Sequence, residues 1–147
     1  MADLEKLARD FVEVQNRDDL DGTIGRFAPD GRRAAPNSVR SGHADLREFY
    51  AAAWRALGHH RITVDRLFRC GDDTVAIEYT EDAQFMADGR TPYGTIGPST
   101  KQPFSIHGAA FLKFKGDKIE ELRAYSDAWF QMLVRSGIDK SNATIKV

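Results

Sequence analysis

The sequence predicts an α+β fold, with helices first and a strongly curved antiparallel sheet after them. Three observations carry this. Apolar residues repeat at helical spacing over 3–16, 19–26 and 43–57. From His59 onward the repeat shortens to two. The later segments are joined by Gly/Asp turns rather than by helices, which excludes an alternating βαβ chain. Helices packed on one face of a curved sheet leave a cavity between the layers, and such mouths are common small-molecule sites.

The elements follow in order. Residues 3–16 form a helix with Asp3 as N-cap and a stripe of Leu4, Leu7, Ala8, Phe11 and Val12. Arg17-Asp18-Asp19 breaks it. Leu20, Ile24 and Phe27 mark a short helix over 19–26, weakened by Gly22 and Gly25. Pro29-Asp30-Gly31 is a turn. Residues 32–40 are poorly patterned and read as a short strand and a loop. Residues 43–57 are the clearest helix: Gly42 precedes it, Gly58 ends it, and Leu46, Phe49, Tyr50, Ala53, Trp54 and Leu57 share a face.

Past His59, the residues His60, Ile62, Val64, Arg66 and Phe68 alternate with Arg61, Thr63, Asp65 and Leu67. Gly71-Asp72-Asp73 is a hairpin turn. The strand 74–87 puts Val75, Ile77, Tyr79, Ala83 and Phe85 on one face, and Glu81 interrupts that face. Residues 88–103 are a Gly/Pro-rich connection with a short strand near Thr95; loops of such length are often functional. The strand 104–114 has Phe104, Ile106, Ala110, Leu112 and Phe114 on one face and His107, Ala109 and Phe111 on the other. After the turn Lys115-Gly116-Asp117-Lys118, a strand 118–126 places Ile119, Glu121, Arg123, Tyr125 and Asp127 opposite Leu122 and Ala124. A helix 128–136 ends at Gly137, and 139–147 is a polar tail.

The totals narrow the function classes. At 147 residues the chain is one domain, and its charged residues nearly cancel, to a net charge of -1. Nothing in that balance points to nucleic acid, and no apolar run is long enough for a membrane span. The N-terminus is acidic and amphipathic, unlike a signal peptide, and Cys70 has no partner for an internal disulfide. A reducing cytoplasm is the expected compartment.

At this point the ordered set of motifs resembles a known family. Phe27-Ala28-Pro29-Asp30, Ser41-Gly42, Gly71-Asp72-Asp73-Thr74-Val75-Ala76 and Gly94-Thr95-Ile96-Gly97-Pro98 are followed by Gly116-Asp117-Lys118-Ile119-Glu120-Glu121 with Tyr125 and Asp127. In this arrangement, over roughly residues 4–138, the chain resembles the SnoaL-like polyketide cyclases of the nuclear transport factor 2-like superfamily. The resemblance implies a cone-shaped α+β barrel, a homodimer through the outer sheet face, and a cofactor-free enzyme acting on a hydrophobic, carbonyl-bearing molecule. It implies that Asp127 is the acid/base of an intramolecular aldol closure. One departure is Pro98-Ser99-Thr100-Lys101, where many relatives carry Pro-Thr-Gly-Lys. The superfamily also holds isomerases, dehydratases, epoxide hydrolases and members without catalysis, so fold alone does not set function.

The candidate residues each have a plainer reading. Asp127, at a strand-to-helix junction, is an acid/base or an N-cap. His107 is an assisting proton relay if its face looks inward, and otherwise a sheet-surface histidine. Arg123 binds an anionic substrate group, or completes an acid–arginine–acid set with Asp127 and Glu81, or pairs with Glu121 on the surface. Tyr50, Trp54, Tyr93, Phe85, Phe111 and Trp129 are pocket walls or core. Adjacent His59 and His60 point to opposite faces of a strand and form no metal pair; no metal-ligand spacing occurs elsewhere.

Overall fold

The computed structural model describes residues 2–36, 38–86, 89–91, 94–96, 101, 103–128 and 130–131. Helices α1 (Leu4–Asn16), α2 (Leu20–Gly25) and α3 (His43–Ala56) cover a sheet built from β1 (Phe27–Ala35), β2 (Ser38–Ser41), β3 (Leu57–Cys70), β4 (Thr74–Phe85), β7 (Pro103–Lys115) and β8 (Lys118–Ser126). A short hairpin of β5 (Gly89–Thr91) and β6 (Gly94–Ile96) lies between β4 and β7 in sequence.

Capping residues fix the helix starts. The Asp3 carboxylate accepts from the Lys6 N–H at 3.1 Å, and Asp19 accepts from the Gly22 N–H at 2.8 Å. At α3 the cap residue is Gly42 with φ +82, a conformation costly for any other residue. Asp45 in the first turn accepts instead from the Ser41 N–H and from Arg40, both at 2.9 Å. Those contacts hold its carboxyl below the usual range, with the Arg40 hydrogen bond the larger cause. The apolar stripe of α1 buries Leu4, Ala8, Phe11 and Val12 against the sheet. Asn16 closes that contact by donating to the Ile62 carbonyl at 2.8 Å and accepting from its N–H at 2.7 Å.

The strand order is β2-β1-β8-β7-β4-β3, and the two ends do not pair with one another. The cone is therefore open. It is also mixed, because β1 runs parallel to β8 while the other pairs are antiparallel. The wholly antiparallel expectation is corrected here: a period of two reports which face a side chain takes and says nothing of strand direction.

The expected turn at Pro29-Asp30-Gly31 lies inside β1. Its pairing with β8 advances from Phe27↔Ile119 to Arg32↔Glu121, so several β1 residues bulge across that interval. Proline suits a bulge because it has no N–H to give to a ladder. Gly31 is constrained by close approach: a Cβ there would stand 2.9 Å from the Ala28 carbonyl and 3.0 Å from that of Ile119. The poorly patterned 32–40 segment supplies the rest of β1 and all of β2.

Two further irregularities move residues off their expected faces. A register shift between Val64 and Arg66 turns Leu67 toward the core and leaves Phe68 49% exposed. Another, between Lys113 and Phe114, sets Ile119 inside with Leu122 and Ala124. Each adds one residue on one strand, which exchanges inward for outward beyond it.

The main core joins α1, α2 and α3 to the inner sheet face around Phe27, Leu46, Phe49, Val75, Leu112 and Ile119. A second cluster holds Leu57, Ala83, Phe85, Phe104, Ile106 and Ala128. The helix expected at 128–136 begins at Ala128, with the Gln131 N–H donating to the Asp127 carbonyl at 2.9 Å. Its remainder and the tail 139–147 lie outside the described residues.

Candidate functional site

A cavity of about 70 Å³ opens between α1, α3 and the inner sheet face. Its walls are mostly apolar, from Phe11, Phe49, Ala53, Ile77, Ile106 and Ala124 among others. Into it come the polar groups of Gln15, Arg33, Tyr50, Tyr79, Glu81 and Ser126. Each arrives by strand or helix geometry. Tyr79 and Glu81 are two apart on β4 and share its inner face; Tyr50 is on the buried stripe of α3; Arg33 is on β1 beyond the bulge.

Glu81 is the acid of the cavity, its side chain 15% exposed. Burial pushes its carboxyl above the usual range, while His60 and Arg33 pull it down by less. The tyrosines stay neutral donors. Burial raises the Tyr50 hydroxyl against the pull of Arg33. Burial pushes Tyr79 up to about 12, with Glu81 adding to the rise and Arg33 and Ser126 opposing it. Around the site Tyr50 packs edge-on to Phe49 and tilts over Trp54, with centroids 5.3 and 6.1 Å away.

Behind Glu81 stands His60, its side chain 3% exposed. Its Nε2 lies 2.7 Å from the Asp18 carboxylate and its Nδ1 3.5 Å from Glu81 Oε1. The ring stacks on Trp54 at 5.4 Å. Asp18, 71% exposed and held at φ +54, links this imidazole to solvent. A chain of titratable groups thus runs from the surface to the cavity acid.

Tyr79 owes its place to Gly108 on the neighbouring strand. A Cβ at that position would meet Tyr79 Oη at 2.6 Å and the Tyr125 carbonyl at 2.8 Å. The side chain can move but the backbone oxygen cannot. Gly108→Ala is expected to lose about 1–3 kcal/mol in a urea titration, by overpacking, and to displace the Tyr79 hydroxyl. Unchanged stability would show that Tyr79 does not lie across that glycine.

The residues singled out in the sequence divide. Tyr50 and Trp54 line the cavity. Phe85 is fully buried in the second cluster and does not line it. Tyr93 and Trp129 lie outside the residues whose side chains are described. His107 and Phe111 take the outer sheet face, because their strand neighbours Ile106, Ala110 and Leu112 fill the inner one. Arg123 is also outside, paired with Glu121 at 2.7 Å, and that hydrogen bond raises its pKa.

Asp127 is turned from the cavity too. Its carboxylate accepts from the His107 N–H at 2.8 Å and from Gln131 Nε2 at 3.2 Å. It fastens the end of β8 to β7 where the next helix starts. Asp127→Asn keeps an acceptor and is expected to be nearly neutral, whereas Asp127→Ala should cost ~1 kcal/mol, as for a lost cap; thermal unfolding of the pair reads the difference. A large loss in both variants would mean that the negative charge itself is needed. The proposed acid–arginine–acid set is likewise split by the sheet, with Glu81 inside and Arg123 and Asp127 outside.

Arg33, Tyr79 and His60 were not among the site candidates. Tyr79 and Glu81 carried a signal, as two polar-tipped residues at strand spacing on an otherwise apolar face. His60 carried a weaker one, on a face shared with Ile62 and Val64. Arg33 carried none, since the bulge before it breaks the alternation.

The SnoaL-like domain model matches residues 8–122 of this chain. The chain belongs to the SnoaL-like domain family. Solved structures agree at the level of the fold. A candidate polyketide cyclase from Silicibacter sp. TM1040 superposes with a TM-score of 0.76 at 17% identity, over 87% of this chain and 93% of that one. AclR, a candidate hydroxylase from Streptomyces galilaeus, gives 0.70 at 23% identity, over 83% and 77%. The epoxide hydrolase/cyclase-like enzyme SalBIII, of pyran ring formation in the polyether salinomycin, gives 0.69 at 17% identity, over 83% and 88%. No curated protein matches the sequence. As a SnoaL-like domain the chain shares a scaffold with proteins named for several chemistries, and its own cavity residues must decide among them.

Proposed function

We propose that this SnoaL-like protein is a cofactor-free acid/base enzyme acting on a carbonyl-bearing small molecule, in an aldol-type cyclisation or a related isomerisation, with Glu81 as the proton-transfer group. The observation that carries this is the Glu81 carboxyl, held in an apolar cavity beside two neutral tyrosine hydroxyls. A carboxyl whose pKa is raised by burial still holds a proton to return at a pH where an ordinary one has lost it, and its carboxylate is the stronger base. As carboxylate, Glu81 removes a proton from the carbon α to a carbonyl. The enolate oxygen accepts hydrogen bonds from Tyr50 and Tyr79, which donate because burial keeps them protonated. The enolate carbon then attacks a second carbonyl of the same molecule, and the new alkoxide takes the proton back from Glu81. Atoms and charge balance without any co-reactant. His60, hydrogen-bonded to Asp18, stands between Glu81 and solvent.

The cavity volume constrains the substrate. About 70 Å³ is far below the roughly 300–1,000 Å³ of pockets that enclose a drug-sized molecule. The reacting end enters, and the bulk of a polycyclic substrate stays at the mouth. The test is α-proton exchange of aromatic methyl ketones and 1,3-diketones in D2O, followed by proton NMR. The wild-type protein should accelerate exchange and Glu81→Gln should not. Equal exchange with both proteins would remove Glu81 from the chemistry.

A further inference from the structure

Arg33 is a cation in an unusual position. It is 9% exposed, and its guanidinium carbon lies 4.1 Å over the Phe49 ring centroid. Among the described residues its Nη1 has no hydrogen-bond partner and no carboxylate pairs with it. The neighbouring arginines differ. Arg32 points outward to Glu121 at 3.3 Å, and Arg40 and Arg47 pair with Asp45 and Asp21 at 2.9 and 2.7 Å. Buried charges are ordinarily paired, because an isolated one carries the full cost of desolvation. Arg33 faces the cavity, where it hydrogen-bonds to the Tyr50 hydroxyl, a neutral partner that offsets none of its charge. Glu81 lines the same cavity and Arg33 pulls its carboxyl down, but burial raises it by more and no ion pair joins the two among the described residues.

The cavity therefore presents the Tyr50 and Tyr79 hydroxyls, and a guanidinium with one unpartnered nitrogen and no ion pair among the described residues, to whatever enters. Phe49 covers one face of the guanidinium and leaves its edge for bonding. Planar, edge-on recognition by a guanidinium is the geometry that suits a carboxylate. The volume, about 70 Å³, suits a carboxylate on a short stem.

We propose that Arg33 is the counter-ion for a carboxylate carried by the ligand, so that the substrate class is an oxo acid rather than a neutral ketone. This deepens the reading of the cavity as the reaction site and names a group that the acid/base chemistry alone does not require. With the carboxylate on Arg33 and the carbonyl on the tyrosine hydroxyls, the proton to be moved belongs to the carbon skeleton between or beside them.

The experiment compares carboxylates with their neutral isosteres: acetate with acetamide, and benzoate with benzamide. Binding is read from the indole N–H signal of Trp54, which lines the cavity and is assigned with Trp54→Phe. Each carboxylate should bind the wild-type protein at least about tenfold more tightly than its amide, the ratio implied by one charge-assisted hydrogen bond. Arg33→Met should bring the two within about twofold, and Arg33→Lys should keep part of the preference. Equal binding of acid and amide, binding of neither, or a preference that survives in a folded Arg33→Met would each overturn the proposal. The wild-type comparison stands even if a variant does not fold. Glu81→Gln separates the two claims. Loss of proton exchange with retained carboxylate preference supports both, whereas wild-type preference without any exchange leaves the carboxylate site and removes the enzyme.

Discussion

Glu81→Gln is expected to lower turnover by about 10²–10⁴-fold, the usual contribution of a positioned general acid/base, with substrate affinity nearly unchanged. Glutamine fills the same volume and keeps hydrogen-bonding atoms in the cavity, so the loss is of proton transfer. Stability should respond in the opposite direction. The folded-state pKa of Glu81 is raised by burial. Between the unfolded and folded values the native protein therefore binds more protons than the unfolded chain. Stability contributed by the neutral carboxyl is full below the unfolded value and is lost as pH rises toward and through the folded one. Replacement by glutamine removes that slope. The variant should melt at an equal or higher temperature than the wild type at neutral pH, and the gap should close in acid. Retained turnover, or a melting temperature that falls at neutral pH, would show that the carboxylate is a structural ion.

Phe27→Ala is expected to cost about 3–5 kcal/mol in a urea unfolding series. Phe27 is 1% exposed and lies where α1, α3 and β1 meet. Its ring stands edge-on to Phe11 at 5.5 Å and tilted to Tyr50 at 6.2 Å. Removing it opens a void between layers that cannot collapse without moving both helices. Small domains hold only ~5–15 kcal/mol in total, so the variant should be marginal at 25 °C, and Tyr50 should lose its fixed place in the cavity. Phe68→Ala is the control: the same chemistry at a 49% exposed position should change stability by less than about 0.5 kcal/mol. Similar losses in both would mean that the outer face is buried in an assembly.

Much of the fold was readable because period and punctuation agree. The stripe of α1, the long apolar face of α3 and the inner faces of β4 and β7 are where alternation puts them. Bulges were not readable. At Val64–Arg66 and Lys113–Phe114 one extra residue exchanges inside for outside, and no side-chain type marks the place. The parallel pairing of β1 with β8 was hidden for a related reason: its bulge contains Pro29-Asp30-Gly31, which reads locally as a chain reversal.

The site was legible by half. Glu81 broke an apolar alternation, and a carboxylate on a core face must be paired, shifted or functional. Asp127 drew more attention because it stands at a strand-to-helix junction, but that junction gives an aspartate a backbone N–H to accept from, that of His107. Which face of β7 looked inward decided the matter, and the denser apolar set of Ile106, Ala110 and Leu112 took it. Arg33 shows the remaining limit. A single arginine after a bulge is indistinguishable in sequence from its solvent-facing neighbour Arg32.

The central claim is that Glu81 is a desolvated acid in a ligand cavity, and side-chain carboxyl NMR titration tests it most directly, with Glu81→Gln to assign the signal. A Glu81 pKa clearly above the usual carboxylate range is the predicted result. A value at or below that range would mean an ordinary carboxylate, held by Arg33 or His60, and would contradict the account.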